Sequence, residues 1–264
     1  MRYDARELAR VRNWVLLLSA VTWIVLVVEP GGVRMFAHCP ATGAGAMPWP
    51  ASLQMLLAMN PPAFLAAGWG LMLVAMMAPV LIQPVYHIRR RSFTQRWARS
   101  IGLFVAGYAA VWMAAGGVLL AIELAVIVLA PQSYLPAAGL LFIALVWQFS
   151  PVKQRCLNRC HAHGELAAFG VAADWDALRF GITHGMWCAG SCWALMLLPL
   201  LLPRGPLLAM AGVAVLIFSE KLERPRPLGW RCRGFGTVTR IVLAQVRIRL
   251  HARRLGPAPF FPGG

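Results

Sequence analysis

Residues 177–203 read ALRFGITHGMWCAGSCWALMLLPLLLP. The stretch carries one charged side chain, Arg179, near its start, and it exceeds the length of about 20 apolar residues that a helix needs to cross a bilayer. It therefore predicts a membrane-spanning helix. Two cysteines inside it, Cys188 and Cys192, lie about one helical turn apart, so the chemistry of the protein depends on what paired thiols do within a membrane.

The whole chain has the composition of an integral membrane protein. Of its 264 residues 59% are hydrophobic and 13% are charged, and the mean hydropathy is +0.65. These values are too apolar for an ordinary soluble domain. The basic residues that produce the formal charge of +16 lie mainly between the apolar stretches. In such positions they determine membrane topology and contact anionic lipid. We therefore expect the lipid bilayer as a partner and no nucleic acid.

Six apolar stretches come close to the length of a membrane span. They cover residues 13–30, 63–86, 100–129, 135–152, 177–203 and 206–220. The predicted fold class is all-α, a polytopic membrane helical bundle of about six transmembrane helices.

The distribution of basic residues predicts the orientation of this bundle. The outer loops hold only Arg34 and Arg204, whereas the N-terminus, two loops and the C-terminal tail are rich in arginine. By the positive-inside rule both termini lie in the cytoplasm. The chain then divides into a six-helix transmembrane domain, 1–220, and a basic cytoplasmic tail, 221–264. Within the tail, residues 237–255 alternate apolar and arginine residues, which predicts an amphipathic helix on the membrane surface.

A stripe of metal-binding residue types follows one face of the fifth predicted span. His184, Cys188 and Cys192 are four residues apart, so each step turns about 40° and rises about 6 Å along the helix. Thiolates with imidazole favour Cu(I) or zinc over hard cations. The alternative is that both cysteines pack as small apolar residues between helices and that His184 bonds to a neighbour.

The second predicted span carries further soft donors, in GWGLMLVAMMAPVLIQP. Met72 and Met76 share a helix face and Met77 is adjacent, while Pro79 and Pro84 would leave backbone carbonyls without their usual donors. Methionine is also common core filler. If the three thioethers face the two thiols, they complete a soft metal site.

A second cysteine pair follows the fourth predicted span. Cys156 and Cys160 are joined by His161 and His163, which makes four candidate ligands for zinc or copper within eight residues. The spacing differs from the C-x2-C of structural zinc fingers. The alternative is a solvated basic loop whose thiols stay reduced in the cytoplasm. The two cysteine pairs form either one site or two stations along one path.

Several of these blocks together resemble a known bacterial family, the predicted metal-binding integral membrane proteins of unknown function. The blocks are GWGLMLVAMMAP (68–79), CLNRC (156–160), GMWCAGSCWALM (185–196) and SEK (219–221). The resemblance covers roughly residues 63–224, and the family usually has a further cysteine where this chain has Ser191. It implies metal binding and residence in the bacterial cytoplasmic (inner) membrane, and it does not imply a reaction.

The donors favour a protein that handles copper(I), either by transport or by delivery to a copper enzyme, as part of metal homeostasis. Copper (Cu+) is the expected metal and zinc the alternative, and a copper enzyme or metallochaperone is the expected protein partner. Two other hypotheses remain: a non-catalytic accessory subunit of a larger membrane complex, and a membrane thiol-disulfide oxidoreductase. An enzyme is the less favoured of these, because a disulfide within one helical turn is strained.

Overall fold

The structure is a computed structural model, and it describes most of the helical part of the chain. The described residues are 2–28, 61–93, 95–129, 135–162, 164–167, 169–201 and 206–230, with residues 54, 58, 236, 239, 240 and 243–247. Over these residues the protein forms helices and turns without a strand, so the all-α prediction is confirmed. Most of the surface helix predicted at 237–255 lies outside the described residues.

The helices follow the predicted spans closely. They are α1 (Arg2–Val28), α2 (Pro62–Met77), a 3₁₀ turn (Ala78–Leu81), α3 (Ile82–Arg91), α4 (Trp97–Leu129), α5 (Leu135–Phe149), α6 (Pro151–Cys160), α7 (Gly170–Leu201) and α8 (Pro206–Leu222).

Within the described ranges, three helical segments are long and apolar enough to cross a membrane. They are Ala5–Val28, Pro62–Arg91 and Trp97–Val126, and they coincide with the first three predicted spans. The other predicted spans fall on α5 and α8, which have 15 and 17 residues, and on the longer but more polar α7. These three helices are compatible with a membrane protein. The six-span topology stays a prediction.

Pro79, just after α2, frees a backbone carbonyl of α2 that forms hydrogen bonds with α1. Pro79 has no N–H, so the carbonyl of Ala75, four residues earlier, lacks its helical donor. That carbonyl accepts hydrogen bonds from Ser19 Oγ at 2.7 Å and Trp23 Nε1 at 3.1 Å, both on α1. The predicted release of a backbone carbonyl by Pro79 is confirmed, and the released group fixes α1 against α2.

The α4 and α7 backbones approach each other closely at glycines. A Cβ added to Gly181 would lie 2.1 Å from the Phe104 carbonyl oxygen, and one added to Gly107 would lie 2.7 Å from the Leu178 carbonyl oxygen. Gly185, one turn after Gly181, also lies close to α4, since its added Cβ would be 3.1 Å from the Val111 side chain. Small residues spaced by four allow such close contact between membrane helices. The contact brings the cysteines of α7 against α4.

The substitution Gly181→Ala tests this packing. The added methyl group would force the two backbones apart, and overpacking of this kind costs about 1–3 kcal/mol. We expect a lower melting temperature in detergent. Gly117→Ala on α4 is the matched control, because an added Cβ there has nothing within 4 Å and alanine favours a helix. Equal melting temperatures for the two variants would contradict the close contact.

Candidate metal centre

Four cysteines lie in the described part of the chain, and all four are buried free thiols. Cys188 and Cys192 on α7 are 0% exposed, and Cys156 and Cys160 on α6 are only slightly more accessible. Thiols this deeply buried are shielded from solvent, which is the environment that a membrane metal site needs to exclude competing water.

The two thiols of α7 form a close pair. Cys188 and Cys192 follow each other by one turn on α7, and both are buried in the same hydrophobic core. Ser191, where the resembled family has a cysteine, places its hydroxyl 3.2 Å from Cys192 Sγ and also donates to the Cys188 carbonyl at 2.8 Å. The serine therefore supports the pair instead of adding a third thiol.

Helix α4 supplies polar hydrogens to Cys188. The Tyr108 hydroxyl lies 3.4 Å from Cys188 Sγ. Trp112, in the same core as Cys188, has an Nε1 without a hydrogen-bond partner among the described residues. Donors of this kind favour an anionic sulfur atom, since hydrogen bonds to charged acceptors are the stronger ones. The core around Cys188 thus contains polar groups from α4.

His184 lies one turn before Cys188 in an aromatic setting. Its ring is buried, with centroid distances of about 6 Å to Phe104, Tyr108 and Phe180. The ring is thus held at the end of the stripe, between α4 and its own helix. Its role as a ligand remains a prediction.

The methionines of α2 belong to the same hydrophobic core as the α7 thiols. Met72, Met76 and Met77 are all almost fully buried in this cluster, which also contains Cys188 and Cys192. Met196 on α7 and Met210 on α8 are buried there too. Met210 could not be selected from sequence, because only the packing of α8 brings it into this core.

The second cysteine pair packs directly on the first. Helix α6 starts at Ser150, whose hydroxyl accepts from the Lys153 N–H at 3.1 Å. Cys156 Sγ lies 3.0 Å from where a Cβ on Gly190 would be, so the glycine lets α6 and α7 approach closely here. Cys160 joins the core that contains Cys188 and Cys192. The two pairs are therefore neighbours within one part of the fold.

Cys160 is paired with a lysine. Lys221 Nζ on α8 donates to Cys160 Sγ at 2.8 Å. Burial raises the pKa of the Cys160 thiol to about 11, and the opposing effect of the Lys221 charge is smaller. Burial likewise raises the pKa of Cys156, against the charges of Lys221 and Arg155. Both thiols are therefore protonated at neutral pH until a cation displaces the proton.

His161 holds α6 against α8. Its Nδ1 lies 2.9 Å from the Leu157 carbonyl oxygen and its Nε2 lies 3.0 Å from the Lys221 carbonyl oxygen. Both nitrogens thus face backbone groups in this conformation, and a role as ligand would require the ring to turn. His163, the fourth candidate of this group, lies outside the described residues.

A buried ion pair lies beside the second cysteine pair. Lys153 Nζ on α6 contacts Glu220 Oε1 on α8 at 2.9 Å, with both side chains 1% exposed. Gln148 on α5 bonds to both. Sequence analysis missed this network, because its members come from three helices and carry no shared motif.

The donor set defines which metal fits. Within the described ranges, no group of three or more His, Cys, Asp and Glu side chains lies close enough together to hold a metal ion. A site here therefore rests on two thiolates with thioether neighbours. Structural zinc takes four nitrogen, sulfur or oxygen ligands, whereas Cu(I) accepts a few soft sulfur donors. The residues present fit Cu(I).

Comparison with known proteins links the chain to a protein family. The family model described as PpoB2, copper chaperone, matches residues 66–243, which is more than half of the 264 residues. The matched region contains α2 and both cysteine pairs. No curated protein and no solved structure matches the chain.

The substitution Lys153→Met tests the buried ion pair that fixes α6. It leaves the Glu220 carboxylate buried without its cation, and removing one partner of such a pair costs about 3–5 kcal/mol. We expect a large fall in melting temperature in detergent. The double variant Lys153→Met/Glu220→Met removes both charges and should regain most of the lost stability. A fall in melting temperature of the double variant equal to the sum of the falls in the two single variants would argue against the ion pair.

Proposed function

The chain belongs to the PpoB2 copper chaperone family, and on this premise we propose that it is a membrane copper(I) chaperone whose binding site is the thiol pair of α7. The observation that carries the proposal is the burial of Cys188 and Cys192, at 0% exposure, in one core with Met72, Met76 and Met77. A water-excluded set of thiols and thioethers is selective for a soft, monovalent metal ion.

The electrostatics of the site support a cation as its occupant. A thiolate in apolar surroundings is costly unless a positive charge lies beside it. A bound Cu(I) ion supplies that charge directly, and the donors from Tyr108 and Trp112 reduce the remaining cost at Cys188. The pair is therefore suited to accept Cu(I) with release of thiol protons.

The neighbouring pair on α6 provides a route to and from this site. Cys156 and Cys160 pack on α7 beside Cys188, so Cu(I) could pass between the two pairs by exchanging one sulfur ligand at a time. Because Cu(I) is held by only a few sulfur ligands at each position, each exchange step involves a small change in free energy. The methionines of α2 and Met196 would extend the route on the other side of the thiol pair.

The topology gives this route a direction in the cell. If the predicted six-span topology holds, with both termini in the cytoplasm of a bacterial inner-membrane protein, Cys156 and Cys160 lie at the cytoplasmic end of the bundle. A metallochaperone would deliver Cu(I) there, or a copper enzyme would receive it from the opposite end. Delivery agrees with the family description better than transport against a gradient.

Replacing the thiol pair tests the proposal. The variant Cys188→Ser/Cys192→Ser should purify without copper under anaerobic, reducing conditions, whereas the native protein should retain about one Cu(I) per chain. Elemental analysis measures both. Serine preserves size and removes the soft donor, so the fold should persist.

Cys156→Ser/Cys160→Ser is the matched control. It removes the same number of thiols from the neighbouring helix, and it should keep copper at the α7 pair while slowing exchange with a chelator. Equal copper content in the native protein and the α7 variant would overturn the assignment, and so would a native protein that binds none.

The thioethers should contribute less than the thiols. Met72→Leu/Met76→Leu conserves core volume and removes two soft donors, so we expect weaker Cu(I) binding with an unchanged melting temperature. Competition with bicinchoninate measures the affinity. Met113→Leu, at a partly exposed position of α4, is the control and should leave the affinity unchanged. Identical affinities for both variants would remove these methionines from the site.

A further inference from the structure

Lys221 has an unusual set of partners. Its ammonium donates to the thiol of Cys160 at 2.8 Å, and Cys160 lies in the same buried core as Cys188 and Cys192. Within the part of the chain that the structure describes, no carboxylate lies within ion-pair distance of Lys221. The half-buried Lys221 thus meets a thiol of this core where a carboxylate would be the usual partner.

The acids nearest to Lys221 along the chain are already paired with other cations. Glu220 is bound to Lys153 at 2.9 Å, and Glu223 lies 3.6 Å from Arg226. On α6, Arg155 is exposed, and Arg159 lies over the Trp187 ring at 5.8 Å. Lys221 therefore has no carboxylate in direct contact, and the Cys160 thiol is the side chain that its ammonium meets.

Metal binding changes this balance in a way that depends on the charge of the ion. Two thiolates with Cu(I) carry a net charge of −1, which the ammonium of Lys221 neutralises. Two thiolates with Zn²⁺ are already neutral, so the same ammonium would leave a net charge of +1 in a poorly solvated region. An uncompensated charge there is costly.

We propose that Lys221 is the fixed counter-charge of the thiol sites and makes them select a monovalent soft cation over a divalent one. This inference rests on the proposed copper(I) function and adds a residue that acts on the metal through the thiolates. Lys221 is therefore a positioning and selectivity residue and does not itself bind the ion. Its carbonyl bond to His161 at 3.0 Å holds the end of α8 in place for this role.

The experiment compares metal preference in purified full-length protein with Lys221→Met. Cu(I) affinity is measured by competition with bicinchoninate and Zn(II) affinity by competition with 4-(2-pyridylazo)resorcinol. We expect Cu(I) binding to weaken by about 10–100-fold, the range seen when groups that support metal ligands are removed. Zn(II) binding should stay equal or become tighter, so that the preference for Cu(I) falls.

Three further variants make the outcome specific. Lys221→Arg keeps the charge and should keep the preference, while Arg224→Met removes a charge from an exposed position three residues away and should change nothing. Lys221→Gln removes the charge but can still donate to Cys160, and it replaces the methionine variant if that variant fails to fold.

The results separate this inference from the proposed function. Native protein that binds no Cu(I) would refute the proposed function and with it the role of Lys221. Native protein that binds Cu(I), with an unchanged Cu(I) to Zn(II) preference in the uncharged variants, would refute the role of Lys221 alone. A preference lost in Lys221→Met and Lys221→Gln and kept in Lys221→Arg would support it.

Discussion

The close contact between the α4 and α7 backbones is the constraint on which the rest of the site depends. It exists because Gly107, Gly181 and Gly185 have no side chain, and added Cβ atoms would meet the opposite helix at 2.1 to 3.1 Å. The contact sets Tyr108 and Trp112 against Cys188 and removes both α7 thiols from solvent. Without this contact, the two cysteines would lie on one face of a helix without neighbouring polar groups and without shielding from solvent.

Burial also makes the charge of a bound ion important, because an uncompensated charge in apolar surroundings is costly. The Cys160 thiol keeps its proton, because burial raises its pKa to about 11, and it becomes a thiolate only when a cation compensates it. A positive charge is already present beside this thiol, because Lys221 Nζ donates to Cys160 Sγ at 2.8 Å. The protein thus places soft donors and a fixed positive charge in one part of the fold, and the proposed selectivity depends on this combination.

Much of this arrangement could be predicted from sequence, because it depends on spacing within one helix. Local geometry is enough to predict the all-α fold class and the shared helix face of the two α7 cysteines. It also predicts that Pro79 frees a backbone carbonyl. Contacts between helices could not be read in the same way. Lys153 and Glu220 are 67 residues apart, Lys221 and Cys160 are 61 apart, and no local pattern predicts either pair. The adjacency of the two cysteine pairs likewise required the packing of α6 on Gly190.

The most direct test of the central claim is X-ray absorption spectroscopy at the copper edge of protein loaded with Cu(I). We expect a low-coordinate ion surrounded by sulfur, with that signal lost when Cys188 and Cys192 are replaced by serine. A first coordination shell of nitrogen or oxygen atoms, or a sulfur signal that persists in the serine variant, would contradict it.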